Sequence, residues 1–139
     1  MSTSTSKGFT LVEALVATLV IGVGLVAVLS LFPLTARSNK SAEQTSLAST
    51  VAKAKLEDLV STSYDELTVG TIEPLTAVTT NSTSPLYGFK RQTAVTLLDS
   101  TLHTTNTDVG LKQITVTVSW PAKGGGTNTF AISTIRSRR

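Results

Sequence analysis

One acidic side chain stands out because it occurs at the start of a long apolar run. Glu13 is followed, from Ala14 to Leu34, by residues whose only polar side chains are Thr18 and Ser30. An ionisable group at the boundary of a bilayer costs free energy, so it is expected to have a function and a cationic partner. The chemistry expected of this stretch is therefore that of a carboxylate that pairs with a positive charge in apolar surroundings.

The other candidates for chemistry form no recognisable catalytic pattern. His103 is the single histidine and the chain has no cysteine, which excludes a zinc site or a Cys-His nucleophile. A serine nucleophile acting with His103 stays open by composition, but no Gly-x-Ser-x-Gly motif supports it. Asp99 and Asp108 flank the same Thr-rich loop, and their spacing does not match a calcium-binding EF-hand. We expect a solvated loop here, with no catalytic residue, no metal and no cofactor.

The apolar run after Glu13 is long enough to cross a bilayer as a helix, which takes roughly 20 residues. A cleavable secretory signal is the weaker interpretation, because the core is long and the nearest cleavage candidate, ending at Ala36, has a bulky residue where a small one is needed. A signal anchor that stays in the membrane fits better. Lys7 before the run indicates a cytoplasmic N-terminus, although Arg37 and Lys40 after it weaken the charge rule.

The segment from Gly8 to Ala14, Gly-Phe-Thr-Leu-Val-Glu-Ala, resembles the processing motif of type IV prepilins and type II secretion pseudopilins. In that family a short polar leader ends in Gly before Phe-Thr-Leu-x-Glu. The resemblance implies cleavage by prepilin peptidase between Gly8 and Phe9, N-methylation of Phe9, and a structural role rather than an enzymatic one. It also implies that Glu13 and Phe9 take part in subunit assembly.

The resemblance assigns a partner to the Glu13 carboxylate, namely the terminal amine of a neighbouring subunit. That amine would be freed at Phe9 and, methylated or not, would be positively charged near neutral pH. A buried pair of this kind can hold register, although it is weak evidence for net stability. The implied partners are other pilin subunits in a homo- or hetero-filament, the prepilin peptidase and methyltransferase, and the inner membrane. The implied location is the bacterial inner membrane before assembly, and an extracellular pilus or periplasmic pseudopilus afterwards.

Charge and composition limit the remaining possibilities. The net charge of +3 is spread along the chain and does not require nucleic acid. Three arginines, Arg136, Arg138 and Arg139, form a basic C-terminus without an aromatic platform, so nucleic-acid binding is possible but weakly supported, and a frayed tail is expected. The absence of cysteine departs from many major pilins, which close a C-terminal loop with a disulfide, and favours a minor subunit.

The predicted domains are a cleaved leader at 1–8, a transmembrane or filament-core helix half at 9–34, and an exported globular domain at 35–139. The length of 139 residues leaves room for one membrane helix and one small domain. Gly22, Gly24 and Pro33 weaken the apolar helix and are predicted sites of helix flexibility. Inside a filament, the helix is expected to lose its regularity between Gly22 and Pro33.

Beyond Pro33, apolar residues from Leu47 to Val60 recur at three- and four-residue spacing, which is typical of an amphipathic helix. The simplest prediction is one helix from Phe9 to about Thr62. The stretch from Ser61 to Tyr87, rich in Ser and Thr and punctuated by Gly and Pro, is predicted to be a long loop.

Three strand signals follow this loop. Phe89–Leu98 is rich in β-forming residues, and Leu111–Trp120 alternates apolar with polar side chains, with Ile114, Val116, Val118 and Trp120 on the apolar face. A glycine-rich hairpin loop then leads to a last strand at about Thr129–Ile135. The predicted fold class is α+β, a pilin-like lollipop in which one long N-terminal helix packs on an antiparallel sheet of three to four strands.

The short domain and its last two strands look like those of the type IV pilus modification protein group and minor pseudopilin I. The sequence does not choose between a type IV pilus, a secretion pseudopilus and a DNA-uptake pilus. A different class also stays open, that of a periplasmic binding module or hydrolase held by an uncleaved signal anchor.

Overall fold

A computed structural model describes residues 8–30 and 32–138, with the backbone alone for 32–37. The chain divides into two compact units between Ala42 and Glu43, called here the N-terminal and C-terminal units. In the described residues the helices and strands are α1 (Leu11–Leu29), α2 (Phe32–Ser61), β1 (Gly70–Ala77), β2 (Lys90–Leu98), β3 (Thr104–Thr105), β4 (Leu111–Pro121) and β5 (Thr127–Ser137).

In place of the predicted single helix the chain has two helices, and the covalent structure of proline explains where α1 ends. A residue in an α-helix donates its N–H to the carbonyl four residues earlier, and Pro33 has no N–H to give to Leu29. Leu29 is the last residue of α1. Proline is well tolerated in the first turn of a helix, and Pro33 is the second residue of α2. Ser30 lies outside both helices, and Leu31 lies outside the described residues.

In the C-terminal unit, α2 packs on the sheet through small residues. Ala48 and Ala52 are completely buried, and Leu59 joins them in the same apolar cluster. These positions recur at helical spacing, as the sequence pattern predicts. Because alanine has only one side-chain carbon, the helix can approach the sheet closely.

The sheet is antiparallel, with strand order β1-β2-β4-β5 and the two-residue β3 paired to β2. The alternation predicted for β4 is confirmed, since Ile114, Val116, Val118 and Trp120 are all buried. Trp120 stacks on Phe89 with ring centroids 5.5 Å apart. The strands predicted at Phe89–Leu98 and Thr129–Ile135 correspond to β2 and β5, so the α+β fold is confirmed.

The prediction of an uninterrupted loop between Ser61 and Tyr87 is wrong, because β1 lies inside it. β1 runs along the edge of the sheet and most of its side chains are exposed, so its sequence shows no apolar alternation. Its register with β2 shifts twice. The strand is held to β2 partly by an ion pair between Glu73 and Arg91, a long-range contact that local sequence does not reveal.

Candidate functional site

The N-terminus of α1 is capped by a threonine that also positions Glu13. Thr10 has an extended backbone, and its Oγ1 accepts a hydrogen bond from the Glu13 N–H at 3.2 Å. Its carbonyl oxygen accepts from the Ala14 N–H at 3.1 Å. Thr-x-x-Glu is the sequence signature of a capping box, so the sequence alone contains the signal for this cap. The cap therefore fixes Glu13 in the first turn of the helix.

The Glu13 carboxylate lies where a helix favours a negative charge, because the first turn has exposed N–H groups and a partial positive charge. No described residue forms a hydrogen bond or ion pair with it. Gly8 and Phe9 precede the helix, are not helical and are exposed, which is the accessible backbone that a peptidase needs. Lys7 and the rest of the predicted leader lie outside the described residues.

The surface of α1 is apolar on every side and none of it is buried within the chain. The helix is long and apolar enough to cross a membrane, with a mean hydropathy of 2.5. Its hydroxyl groups are already satisfied, since Thr18 Oγ1 donates to the Ala14 carbonyl and Ser30 Oγ donates to the Ala27 carbonyl. A helix of this kind is suited to lipid or to contact with other apolar helices.

The three predicted flexibility sites occupy different positions. Gly22 and Gly24 lie within the regular helix α1, and a Cβ on either would meet nothing within 4 Å. Among the described residues, no contact therefore requires glycine at these positions. Pro33 is the second residue of α2. Loss of helix between Gly22 and Pro33 in a filament stays a prediction.

In the C-terminal unit, a cluster of charged and aromatic side chains joins the loop after α2 to the sheet. This Tyr64 cluster consists of Tyr64, Asp65, Asp108, Lys112 and Arg138. The Tyr64 hydroxyl donates to Asp108, and Arg138 Nη2 forms ion pairs with Asp65 at 3.0 Å and Asp108 at 3.1 Å. Burial, together with the hydrogen bond to Asp108, raises the pKa of Tyr64 to about 12. The same hydrogen bond lowers the pKa of Asp108.

Lys112 is the buried centre of the Tyr64 cluster. Its side chain lies on the apolar face of β4, and the residue is only 5% exposed. Its Nζ donates to the carbonyls of Tyr64 and Leu67, both at 2.8 Å, and lies 4.1 Å from the centroid of the Tyr64 ring. The sequence contained a signal for this residue, because Lys112 has the same parity as Ile114 and the other core residues of β4.

The expectation of a frayed C-terminal tail is wrong for two of its three arginines. Arg136 belongs to β5, and its Nη2 donates to the Thr62 carbonyl at 3.2 Å. Arg138 is held in the Tyr64 cluster, and Arg139 lies outside the described residues. A cleft of about 540 Å³ is lined by 63–65 and 135–138. Because Asp65 and Asp108 already pair with Arg138, this cleft is not a bare basic patch for nucleic acid.

The acidic residues near His103 do not converge on a common site. Asp99 Oδ1 accepts hydrogen bonds from the Thr101 N–H and hydroxyl and from the His103 N–H, which closes the turn between β2 and β3. The hydrogen bond from the Thr101 hydroxyl is the main cause of a lowered pKa at Asp99. Asp108 is used instead by the Tyr64 cluster. Within residues 8–30 and 32–138 no group of three potential ligands could hold a metal ion.

The N-terminal unit exposes an apolar helix, α1, whose surface is suited to lipid or to other apolar helices. The first turn of this helix contains one carboxylate, that of Glu13. The family model for the prokaryotic N-terminal methylation motif matches residues 3–29, ending at the last residue of α1. The match supports the resemblance to type IV pilins and pseudopilins, and it does not extend to the C-terminal unit. No curated protein and no solved structure matches the chain.

Proposed function

We propose that the chain is a structural subunit, of the minor class, of a type IV pilus or a related filament. Prepilin peptidase would cut it between Gly8 and Phe9, Phe9 would be N-methylated, and assembly would proceed through α1. The observation that supports this most directly is α1 itself, an exposed apolar helix whose N-terminus lies inside the matched methylation motif. Such a subunit is anchored in the inner membrane before assembly and is not an enzyme.

Within this proposal, Glu13 pairs with the methylated amine of a neighbouring subunit. A carboxylate that moves from the lipid headgroup region into a core of packed apolar helices loses water, and it must be neutralised or paired there. The amine freed at Phe9 has the opposite charge and enters the same core. Each subunit would supply one group of each sign, so a row of subunits can pair all of them except at its two ends.

The proposed domain boundaries follow from these roles. The leader at 1–8 is removed, the segment 9–34 becomes the filament-core half of the helix, and 35–139 is exported. The lack of cysteine favours a minor pilin over a major one. A type II secretion pseudopilin is the alternative within the same class, and its processing would be identical.

Mass spectrometry of the N-terminal peptide tests the processing step. The protein would be taken both from its native membrane and from sheared surface filaments. We expect a chain that begins at methylated Phe9 and is present in the filament fraction; a processed chain that stays in the cell envelope would favour the pseudopilin. A chain that still begins at Met1 or Ser2 and is confined to the membrane would overturn the proposal and support the signal-anchored periplasmic module.

A second experiment separates pairing by Glu13 from its place in the helix cap. Glu13→Gln keeps a side chain that can complete a capping box but removes the charge. Thr10→Val removes the capping hydroxyl and keeps the charge. We expect Glu13→Gln to be inserted and cleaved normally but to be at least tenfold depleted from filaments, and Thr10→Val to be incorporated. Equal depletion of both variants would show that the cap matters and the charge does not.

A further inference from the structure

The two edges of the sheet differ in how well they resist pairing with another chain. β1 has Glu73 and Pro74 within the strand and two shifts of register, all of which disfavour a further strand. β5 has no proline and no shift of register, and its single charged residue, Arg136, lies near its C-terminal end. It pairs with β4 through eleven consecutive residue pairs without a shift, from Leu111↔Ser137 to Pro121↔Thr127.

The exposed edge of β5 is long, regular and uncharged over most of its length. From Thr127 to Ile135 it contains no charged residue, no glycine and no proline. Among the described residues, β4 is the only strand that forms backbone hydrogen bonds with β5, so the other edge of β5 is open. Phe130 and Ile132 face the core but are only half-buried. Open edges with this composition are templates for strand addition.

We propose that β5 pairs antiparallel with β5 of a second copy of this chain, so that the two sheets become one continuous sheet across a two-fold axis. The pairing would give the unpaired N–H and C=O groups of both edges their hydrogen-bond partners. It would also cover the half-buried apolar residues of each strand with those of the other. The surface is self-complementary, as a two-fold contact requires.

The charge on β5 favours a second copy in the antiparallel direction. Two uncharged strands meet without repulsion, and the only charge on the strand is at one end, at Arg136. In a parallel pair the two arginines would lie side by side, about 5 Å apart. In an antiparallel pair centred on the strand, Arg136 lies opposite Asn128 of the other copy, and the two arginines are separated by about 27 Å.

The alternation of side chains restricts the register. Full overlap of the eleven residues from Thr127 to Ser137 centres the pair on Ile132. This register sets Ile132 against its own counterpart on the core face. It sets Ala131 against Ser133 of the other copy on the outer face. A shift by one residue would bring core-facing side chains opposite outward-facing ones, so only shifts by two preserve the faces.

An edge contact alone is small for a stable complex in solution, since stable interfaces bury about 1,200–2,000 Å². Two copies anchored through α1 in one membrane are confined together, which raises their effective concentration. The dimer is therefore expected in the membrane. The inference does not depend on cleavage at Gly8, because an unprocessed anchored chain has the same β5.

Disulfide crosslinking of the full chain in native membranes tests the pairing, and the absence of native cysteine makes the result clean. Ala131→Cys and Ser133→Cys chains with tags of different mass are expressed together and exposed to a mild oxidant. Residues directly opposite in an antiparallel pair have Cα atoms about 4.5–5.5 Å apart, within the range that a disulfide spans. We expect the mixed 131–133 crosslink to exceed, by at least tenfold, any crosslink from Leu75→Cys on β1.

A blocking variant and its matched control complete the test. Ser133→Lys adds an outward charge to the β5 edge, whereas Gln92→Lys adds the same charge to the same sheet face on interior strand β2. Crosslinking in these backgrounds is measured through Ile132→Cys, which lies opposite its own counterpart in this register. It should fall at least tenfold with Ser133→Lys and persist with Gln92→Lys, both with unchanged urea midpoints. Absence of the mixed crosslink, a β5–β1 crosslink, a crosslink to another protein, or persistence with Ser133→Lys would each overturn the proposal. The N-terminal mass measured on the same sample reports separately on the proposed function.

Discussion

Replacing Lys112 by methionine should destabilise the C-terminal unit more than any other charge removal on the sheet. Methionine has nearly the same length and volume, so the substitution leaves no large cavity. It removes an ammonium that donates to the Tyr64 and Leu67 carbonyls at 2.8 Å and lies 4.1 Å from the Tyr64 ring centroid. The loop between α2 and β1 would lose its main attachment to β4.

The size of the effect follows from three contributions. Each hydrogen bond from a charged donor contributes about 1.5–3 kcal/mol, and the contact with the ring about 0.5–2 kcal/mol. The buried ammonium opposes them, because its desolvation costs several kcal/mol that methionine avoids. The Tyr64 carbonyl keeps a hydrogen bond from the Leu67 N–H, but the Leu67 carbonyl loses the Lys112 donor. The expected loss is about 2–3 kcal/mol, or a fall of roughly 10–20 °C in Tm for a domain of this size.

Urea unfolding of the full chain in detergent micelles measures this loss directly. Trp120 is the single tryptophan, is buried and stacks on Phe89, so its fluorescence reports the sheet core. Lys123→Met is the matched control, since Lys123 is exposed in the loop between β4 and β5 and its loss should change stability by less than about 0.5 kcal/mol. A Lys112→Met loss no larger than that of the control would refute the argument that these hydrogen bonds hold the loop.

Three further outcomes are expected in the same unfolding assay. The hydrogen bonds from Arg91 lower the pKa of Glu73, so the contribution of this ion pair to folding stability is present at neutral pH and is lost as the pH falls below about 4.5. Glu73→Gln should therefore lower the free energy of unfolding at pH 7 by about 1–2 kcal/mol, and the stability of the variant should depend less on pH in the acid range. The pKa of Tyr64 is raised from 10.0 to about 12, so stability should fall as the pH rises through that interval, and Tyr64→Phe should abolish this alkaline loss. Gly88 has a φ of +85°, a backbone conformation that residues with a Cβ rarely adopt, so Gly88→Ala should cost about 1–2 kcal/mol. A loss below about 0.3 kcal/mol would contradict this strain.

The parts of the fold that the sequence predicts are those in which one face of an element is buried. β4 is the clearest case, because its even-numbered side chains are buried, whereas its odd-numbered ones, apart from Ser119, are half-buried or exposed. The amphipathic part of α2 follows the same reasoning at a period of 3.6 residues. The N-terminal motif is also local, so the Gly8–Phe9 step, Thr10 and Glu13 can all be located without a structure.

The features that the sequence does not predict depend on contacts between distant residues. β1 is an exposed edge strand with a proline, and its pairing with β2 is set by hydrogen bonds and by the contact of Glu73 with Arg91. The Tyr64 cluster joins residues more than forty positions apart, such as Lys112 and Tyr64. Composition alone made Arg138 a candidate for a free tail, whereas its two carboxylate partners hold it against the domain.

The Tyr64 cluster also bears on how an exported subunit could mature. It fastens the residues that follow α2 to β4 and to the end of β5 by ionic and hydrogen-bonded contacts, in a chain that has no cysteine. Such a fastening contains no thiol, so it is unaffected by the thiol redox potential of the surroundings. Under the proposed function, such a subunit would need no disulfide oxidase or disulfide isomerase after export, and a reductant would leave its loop in place.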